Sequence, residues 1–281
     1  MEAINYYRPS TVAEAAKLAS QNSDARFLAG GQTSLPAVRL GLLSPSGWID
    51  LGGIDELRRI RGDGDAVVIG SMTTHAEVAA SADVRKRIPA LAQLAEGIGD
   101  RQVRSRGTIG GSLANNDPAA CYPAAALGLG ATILTDKRTI AADDFFKGLF
   151  ETALASNEVI TGVRFPVPQA AAYIKFKQHA SRFALVGVFV AKVKGGARVA
   201  VTGAGPCVFR VKALEEKLGA KFVPESCDGV TIPATGLNND IHGSVEYRAH
   251  LIPVLAKRAV SAALATARTT QGATDEQAVT A

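Results

Sequence analysis

The sequence predicts an α+β protein: two small mixed subdomains, followed by a mainly antiparallel sheet with helices packed on it. Three observations predict it. Short β-patterned runs alternate with Ala/Leu-rich helical runs up to about residue 165. Pro166 and Pro168 then break the pattern and mark a boundary near 166–172. Beyond it, three longer β-patterned runs follow one another, and two helical ones close the chain. The expected division is 1–55, 56–170 and 171–267, with a tail over 268–281.

Each element has its own signal. Thr11-Val12-Ala13-Glu14 is a capping-box sequence that starts a helix running to about Ser20. Arg26–Ala29 reads as a short strand ending in Gly30-Gly31, with a helix from about Ser34. Trp48–Leu51 is another strand, with Trp48 in the core, closed by Gly52-Gly53. Leu57–Arg61 and Ala66–Gly70 flank Gly62-Asp63-Gly64-Asp65, a hairpin signature. Thr74-His75-Ala76-Glu77 is a second capping box, for a helix to about Ala80. His75, just inside that box, reads as an exposed surface histidine. Residues 84–98 read as one helix, and 106–118 are rich in turn formers. The apolar run 119–130 suits a buried helix, and strands follow at 131–135 and 158–165. Asp143-Asp144 reads as a helix start. Tyr173–Lys177, Ala184–Val193 and Ala197–Thr202 are the three later strands, the last two joined by Lys194-Gly195-Gly196. Helices at about 208–218 and 247–267 follow, and the Thr/Gln/Ala-rich end reads as a frayed tail.

Composition narrows the function. The chain has 281 residues, 47% of them hydrophobic and 20% charged, which supplies more than one core. Its three cysteines, Cys121, Cys207 and Cys227, have neither CxxC spacing nor a histidine cluster. A structural zinc site or an iron–sulfur cluster of its own is excluded on that ground. An odd, scattered count points to a reducing compartment, so the expected location is cytoplasmic. No apolar run reaches the roughly 20 residues of a membrane span, which leaves only peripheral membrane contact open. The net charge is +5. The run Arg85-Lys86-Arg87 reads as a solvated helix face. The run from Arg101 to Arg106 precedes a glycine-rich turn, where it meets an anion or an acidic partner.

Two glycine-rich segments carry the chemistry. Ala29, Gly30, Gly31, Gln32, Thr33 and Ser34 lie between a strand end and a helix start. Paired glycines let backbone N–H groups approach an anion closely. The three polar residues that follow add side-chain hydrogen bonds. Thr108, Ile109, Gly110, Gly111 and Ser112 offer the same device. Two such loops in one unit fit an extended diphosphate. Neither is GxxxxGK[ST] or GxGxxG, so P-loop and Rossmann readings fail.

AGGQTSLP at 29–36, GSMTTHAEVAAS at 70–81 and RGTIGGSLANNDPAA at 106–120 resemble the FAD-binding medium subunits of the molybdenum hydroxylases. YIKFKQHASRFALVGVFVA at 173–191 and EYRAHLIPVLAKRAV at 246–260 extend the resemblance over essentially the whole chain. Medium chains of the carbon monoxide dehydrogenase type are the most similar in the second half. The resemblance implies a PCMH-type fold, with FAD between two N-terminal subdomains. It implies that the two loops bind FAD, with Thr74, Asn115 and Asp117 in matching stretches. Lys175 and Phe183 fall where the family passes near the isoalloxazine ring. Some relatives carry an acid four residues after Asp117; this chain has Cys121, which reads as a small buried residue. The resemblance also implies partners: a large molybdenum-cofactor subunit and a small 2Fe–2S subunit, as a dimer of heterotrimers. The expected role is electron transfer from those clusters through FAD to an external acceptor, with carbon monoxide as one candidate substrate of the complex. No catalytic residue and no metal ligand is expected in this chain. Two readings compete: a self-sufficient flavin dehydrogenase, and a basic nucleotide-binding module. The first lacks an acid–base set; the second lacks aromatics among the basic runs.

Overall fold

The computed structural model describes residues 4–279, with side chains described for residues 4–268. But for Arg268, the expected tail lies outside the described side chains.

The first unit holds β1 (Asn5–Tyr7), α1 (Val12–Gln21), β2 (Ala25–Leu28), α2 (Ser34–Arg39) and β3 (Gly47–Asp50). Its three strands are all parallel, in the order β1-β3-β2. Thr11 caps α1, its hydroxyl accepting from the Glu14 amide at 3.2 Å. The Glu14 carboxylate accepts from the Ser10 amide instead of closing the box. Trp48 and Ile49 are buried, and Ala15 and Ala19 pack from α1 beneath the sheet. Because the strands are parallel, β2 delivers the first glycine loop to their shared C-terminal edge, where open α/β sheets bind ligands.

The second unit begins with β4 (Ile60–Asp63) and β5 (Ala66–Gly70), joined by the tight turn Gly64-Asp65. The hairpin is therefore shorter than the sequence suggests, because Leu57 is taken into a 3-10 turn at Asp55–Arg58. Five helices follow in quick succession: α3 (His75–Ala80), α4 (Ala82–Arg87), α5 (Pro89–Glu96), α6 (Arg101–Arg106) and α7 (Ile109–Asn115). The single helix expected over 84–98 is split at Ile88. The residue before a proline is disfavoured in the α conformation, and Ile88 has φ −138°. The turn-rich stretch 106–118 contains α7, capped by the Thr108 hydroxyl. Then come α8 (Tyr122–Leu129), β6 (Thr132–Thr135), β7 (Thr139–Ala141), α9 (Ala142–Phe145), the ribbon β8 (Phe146–Gly148) and β9 (Glu151–Thr152), and β10 (Ile160–Pro166). The sheet is antiparallel, in the order β4-β5-β10-β6-β7.

The third unit is the antiparallel sheet of β11 (Ala170–Lys177), β12 (Ala184–Val193), β13 (Gly196–Thr202) and β14 (Phe209–Arg210), in that order. Its helices are α10 (Lys212–Ala220) and α11 (Val245–Val279). The helix expected from 208 starts at Lys212, because Phe209-Arg210 pairs with β13. Along β12, Phe189 and Ala191 join the core of the central unit, while Val188 and Val190 join the core under α11. Successive side chains point to opposite faces. Both faces are covered, which is why the run from Ala184 to Ala191 is apolar without alternation. α8, with every residue from Tyr122 to Leu129 buried, is the layer between the two sheets.

Candidate functional site

The two glycine loops, far apart in sequence, touch. A Cβ on Gly30 would stand 2.1 Å from the Arg106 carbonyl oxygen, and one on Gly111 would stand 3.4 Å from the Ala29 Cβ. Gly30 is therefore a close backbone approach that no larger residue permits. Gly31 has φ +70°, a left-handed conformation that a side chain adopts only with strain. Among the described residues, the amides of Gly30, Gly31, Gln32 and Thr33 donate to no other group of the chain. Four unengaged donors in succession are what an anion requires. The side-chain amide of Gln32 donates back to the Gly30 carbonyl at 3.2 Å, which steadies the loop. Thr33 precedes α2 without a side-chain cap bond, so its hydroxyl is not used by the helix.

The second loop is built differently, which corrects the expectation of one shared device. The Ile109 amide donates to the Thr73 carbonyl (3.1 Å) and the Gly110 amide to the Ser71 carbonyl (2.8 Å). The Gly111 amide donates to the Thr108 hydroxyl (3.1 Å), and the Ser112 amide to the Thr108 carbonyl (3.0 Å). These donors are already satisfied. What this loop presents is the Thr108 amide, the Ser112 hydroxyl and a glycine surface that lets the first loop lie against it. Thr74 is bridged to Thr108, and its complete capping box with Glu77 fixes the start of α3 beside the loop.

His75 corrects the sequence reading. It is buried, 5% exposed, with its ring 5.3 Å from that of Tyr122. Burial, and secondarily the positive charge of Arg104, lowers its pKa to about 4, so it is neutral at pH 7. Its Nδ1 has no partner in the chain, nor have the buried Ser71 and Thr73 hydroxyls on the same segment. Nothing in the local sequence separates a buried His75 from an exposed one; it is Tyr122 of α8 and the backbone at Gly107 that lie against it.

The remaining expected residues are spread around this centre. Asn115 and Asp117 are half-buried, and an Asp117 carboxylate oxygen accepts from the Ala119 amide at 2.8 Å. The next carbonyls dock on β13: the Thr202 hydroxyl lies 2.7 Å from both the Pro118 and the Ala120 carbonyl and donates its one proton to either. Lys175, on β11, donates to the Gly97 carbonyl (2.9 Å) and to Cys121 Sγ (3.4 Å). Cys121 is buried, as the sequence suggests for a small residue there. Phe183 packs edge-on against His242. Asn116 was missed: it is fully buried and left-handed, and it holds the β8–β9 ribbon. Its position beside Pro118 in a run of Asn and Asp was the available signal. Among the described residues no group of His, Cys, Asp or Glu could hold a metal ion, and no helix is long and apolar enough to cross a membrane.

Free consecutive amides, a left-handed glycine and uncommitted hydroxyls at a parallel-sheet edge fit the diphosphate of a dinucleotide. Residues 2–168 match the family described as the FAD binding domain in molybdopterin dehydrogenase. The nicotine 6-hydroxylase medium subunit of Paenarthrobacter nicotinovorans is 36% identical, over 92% of this chain and 97% of that protein. The carbon monoxide dehydrogenase medium chain of Hydrogenophaga pseudoflava is 35% identical, over 93% and 97%. A solved chain of reconstituted CO dehydrogenase from Oligotropha carboxidovorans superposes with a TM-score of 0.86 at 31% identity, covering 94% of this chain and 98% of that one. The chain thus belongs to the family of FAD-binding medium subunits of molybdenum hydroxylases, oxidoreductase components whose cofactor is FAD.

Proposed function

We propose that this chain is the electron-transfer subunit of its complex, receiving electrons from the 2Fe–2S clusters of a small subunit and passing them to an external acceptor. The substrate is oxidised on a large molybdenum-cofactor subunit, and the assembly is a dimer of heterotrimers in the cytoplasm. The division into two flavin-clasping subdomains (1–55 and 56–170) and a C-terminal domain (171–267) belongs to the same reading. The observation that carries it is the run of unengaged amides from Gly30 to Thr33, held against the second loop.

Bound FAD would supply a carrier that takes up electrons one at a time and releases them singly or in pairs. Everything else is done by the residues. The amides of Gly30 to Thr33 and the hydroxyls of Thr33 and Ser34 would hold the diphosphate. Thr108 and Ser112 would close it from the other side. Glycines at 30 and 111 let the two loops lie against each other, and Gly110 lets the second loop pack on Ser71. Lys175 would bring a positive charge to the cleft from the third unit. Carbon monoxide is one candidate substrate. The medium chains of a nicotine hydroxylase and a carbon monoxide dehydrogenase are equally close in identity, which supports placing substrate choice in another subunit.

The test is reconstitution of the purified full chain with FAD, read as flavin absorbance per protein. Wild type should take up flavin. Gly31→Val should lose most of it, since a β-branched residue at φ +70° distorts the loop. Equal flavin retention by both proteins would refute the loop assignment. Electron transfer itself is tested with the partner subunits added: substrate should bleach the flavin only in their presence.

A further inference from the structure

We propose that Cys121 and Lys175 are a modification site: a redox-sensitive pair that closes to a covalent N–O–S bridge between the central unit and the C-terminal sheet. The two atoms that would be joined already touch, Lys175 Nζ to Cys121 Sγ at 3.4 Å. Cys121 immediately precedes α8 and is 5% exposed. Lys175 stands on β11, across the interface between the layers. Its other partner is the Gly97 carbonyl, so neither of its hydrogen bonds goes to a carboxylate.

A second observation concerns Tyr173, two residues before Lys175 and therefore on the same face of β11. Its hydroxyl is buried and has no well-aligned hydrogen-bond partner in the chain. That hydroxyl lies close enough to Cys121 for the sulfur to help raise the phenol pKa, after burial itself. Gly187, on the neighbouring strand, leaves the space above it: a Cβ there would stand 2.3 Å from the phenol oxygen. Thiol, amine and phenol thus gather around Cys121 Sγ at the otherwise apolar contact between the layers. An unpartnered buried hydroxyl is free to hydrogen-bond an oxygen added to the sulfur.

The chemistry balances with hydrogen peroxide as oxidant. One peroxide converts the thiol to a sulfenic acid and leaves as water. The sulfenic oxygen then bonds to the Lys175 nitrogen. One N–H and one O–H bond break, and a second peroxide accepts the two electrons and two protons and becomes two waters. An interposed oxygen spans the gap with little movement, whereas a direct N–S bond would have to pull the strand onto the helix. Two equivalents of a dithiol reverse the bridge: they give up four electrons and four protons and become disulfides, Cys121 returns as thiol and Lys175 as amine, and the oxygen leaves as water. Its consequence is mechanical: it would staple β11 to the start of α8, the layer between the two sheets.

The experiment treats the full chain with hydrogen peroxide and maps it by mass spectrometry, before and after dithiothreitol. We expect a linked pair of peptides containing Cys121 and Lys175, carrying one added oxygen and lacking two hydrogens, and released by dithiothreitol. The unfolding midpoint should rise on oxidation and return on reduction. Cys121→Ser and Lys175→Arg, both conservative enough to fold, should each lose the linked species and the shift. Sulfinic acid at Cys121 with Lys175 free, or a link without the extra oxygen, would overturn the proposal. The outcome is independent of whether the chain carries electrons.

Discussion

His75 shows how one side chain couples the site to pH. Its folded-state pKa is about 4, against an ordinary 6.5. Above pH 6.5 folded and unfolded states are both neutral, and His75 contributes no pH dependence. Between 6.5 and 4 the unfolded chain takes up a proton that the folded chain refuses, so stability falls as pH falls. The loss is about 1.4 kcal/mol per pH unit and about 3 kcal/mol in total. Below 4 it levels off. Denaturant titrations across this window should show the slope, and His75→Leu should remove it. At lower pH the loss continues through Glu158, whose pKa the Arg138 guanidinium holds near 2. That carboxylate matters only once the pH drops below its ordinary range near 4.5, so the two effects separate.

Among the elements, α7 and the β8–β9 ribbon depend on one hinge. Asn116 ends α7 with φ 44°, and its side-chain amide donates to the Gly148 and Glu151 carbonyls, both at 2.8 Å. Asparagine tolerates this backbone conformation better than most residues. Asn116→Ala should cost about 2–3 kcal/mol, from two stranded carbonyls and a strained backbone. Asn116→Gly relieves the strain but not the lost bonds, so it should fall between the two in urea unfolding. Equal stability of all three would show that the ribbon is not held this way. The basic run 101–106 is also clearer as an element: it is helix α6, capped by the Asp100 carboxylate. The Arg104 side chain folds back onto the Ile98 and Gly99 carbonyls. The exposed Arg101 and Arg106 remain the outward charges.

Across the whole molecule, Arg248 joins the last helix to the C-terminal sheet. It is 2% exposed, donating to the Leu185 and Gly203 carbonyls and to both oxygens of Asp240. Removing it costs the Leu185 carbonyl its side-chain donor and leaves a gap in the packing, while the Gly203 carbonyl keeps the Asn238 amide and the half-exposed Asp240 keeps the His242 amide. Arg248→Ala should therefore lower unfolding free energy by roughly 2 kcal/mol, from the lost hydrogen bonds and side-chain packing. An unchanged urea midpoint would exclude it as an anchor. The ionic links of Asp143 to Arg198 and Arg210 run between the central unit and the third one in the same way.

The sequence by itself determined the α+β class, the caps at Thr11 and Thr74, the apolar α8 and both glycine loops. These are local: a capping box, a helix run and a glycine pair each act over a few neighbouring residues. The breaks at Ile88 and Leu57 were local too, and a stricter reading of Pro89 would have found the first. Only the tertiary structure decided that Gly30 lies against Arg106 and that His75 is buried. It alone showed that Lys175 meets Cys121, and that the amides of Ile109 to Ser112 are already taken by the chain. Most of those facts depend on surfaces that meet across 36 to 76 residues of chain; the Gly111 and Ser112 amides alone are taken locally, by Thr108. The physical reason is that burial and hydrogen-bond availability belong to pairs of elements, whereas propensity belongs to one.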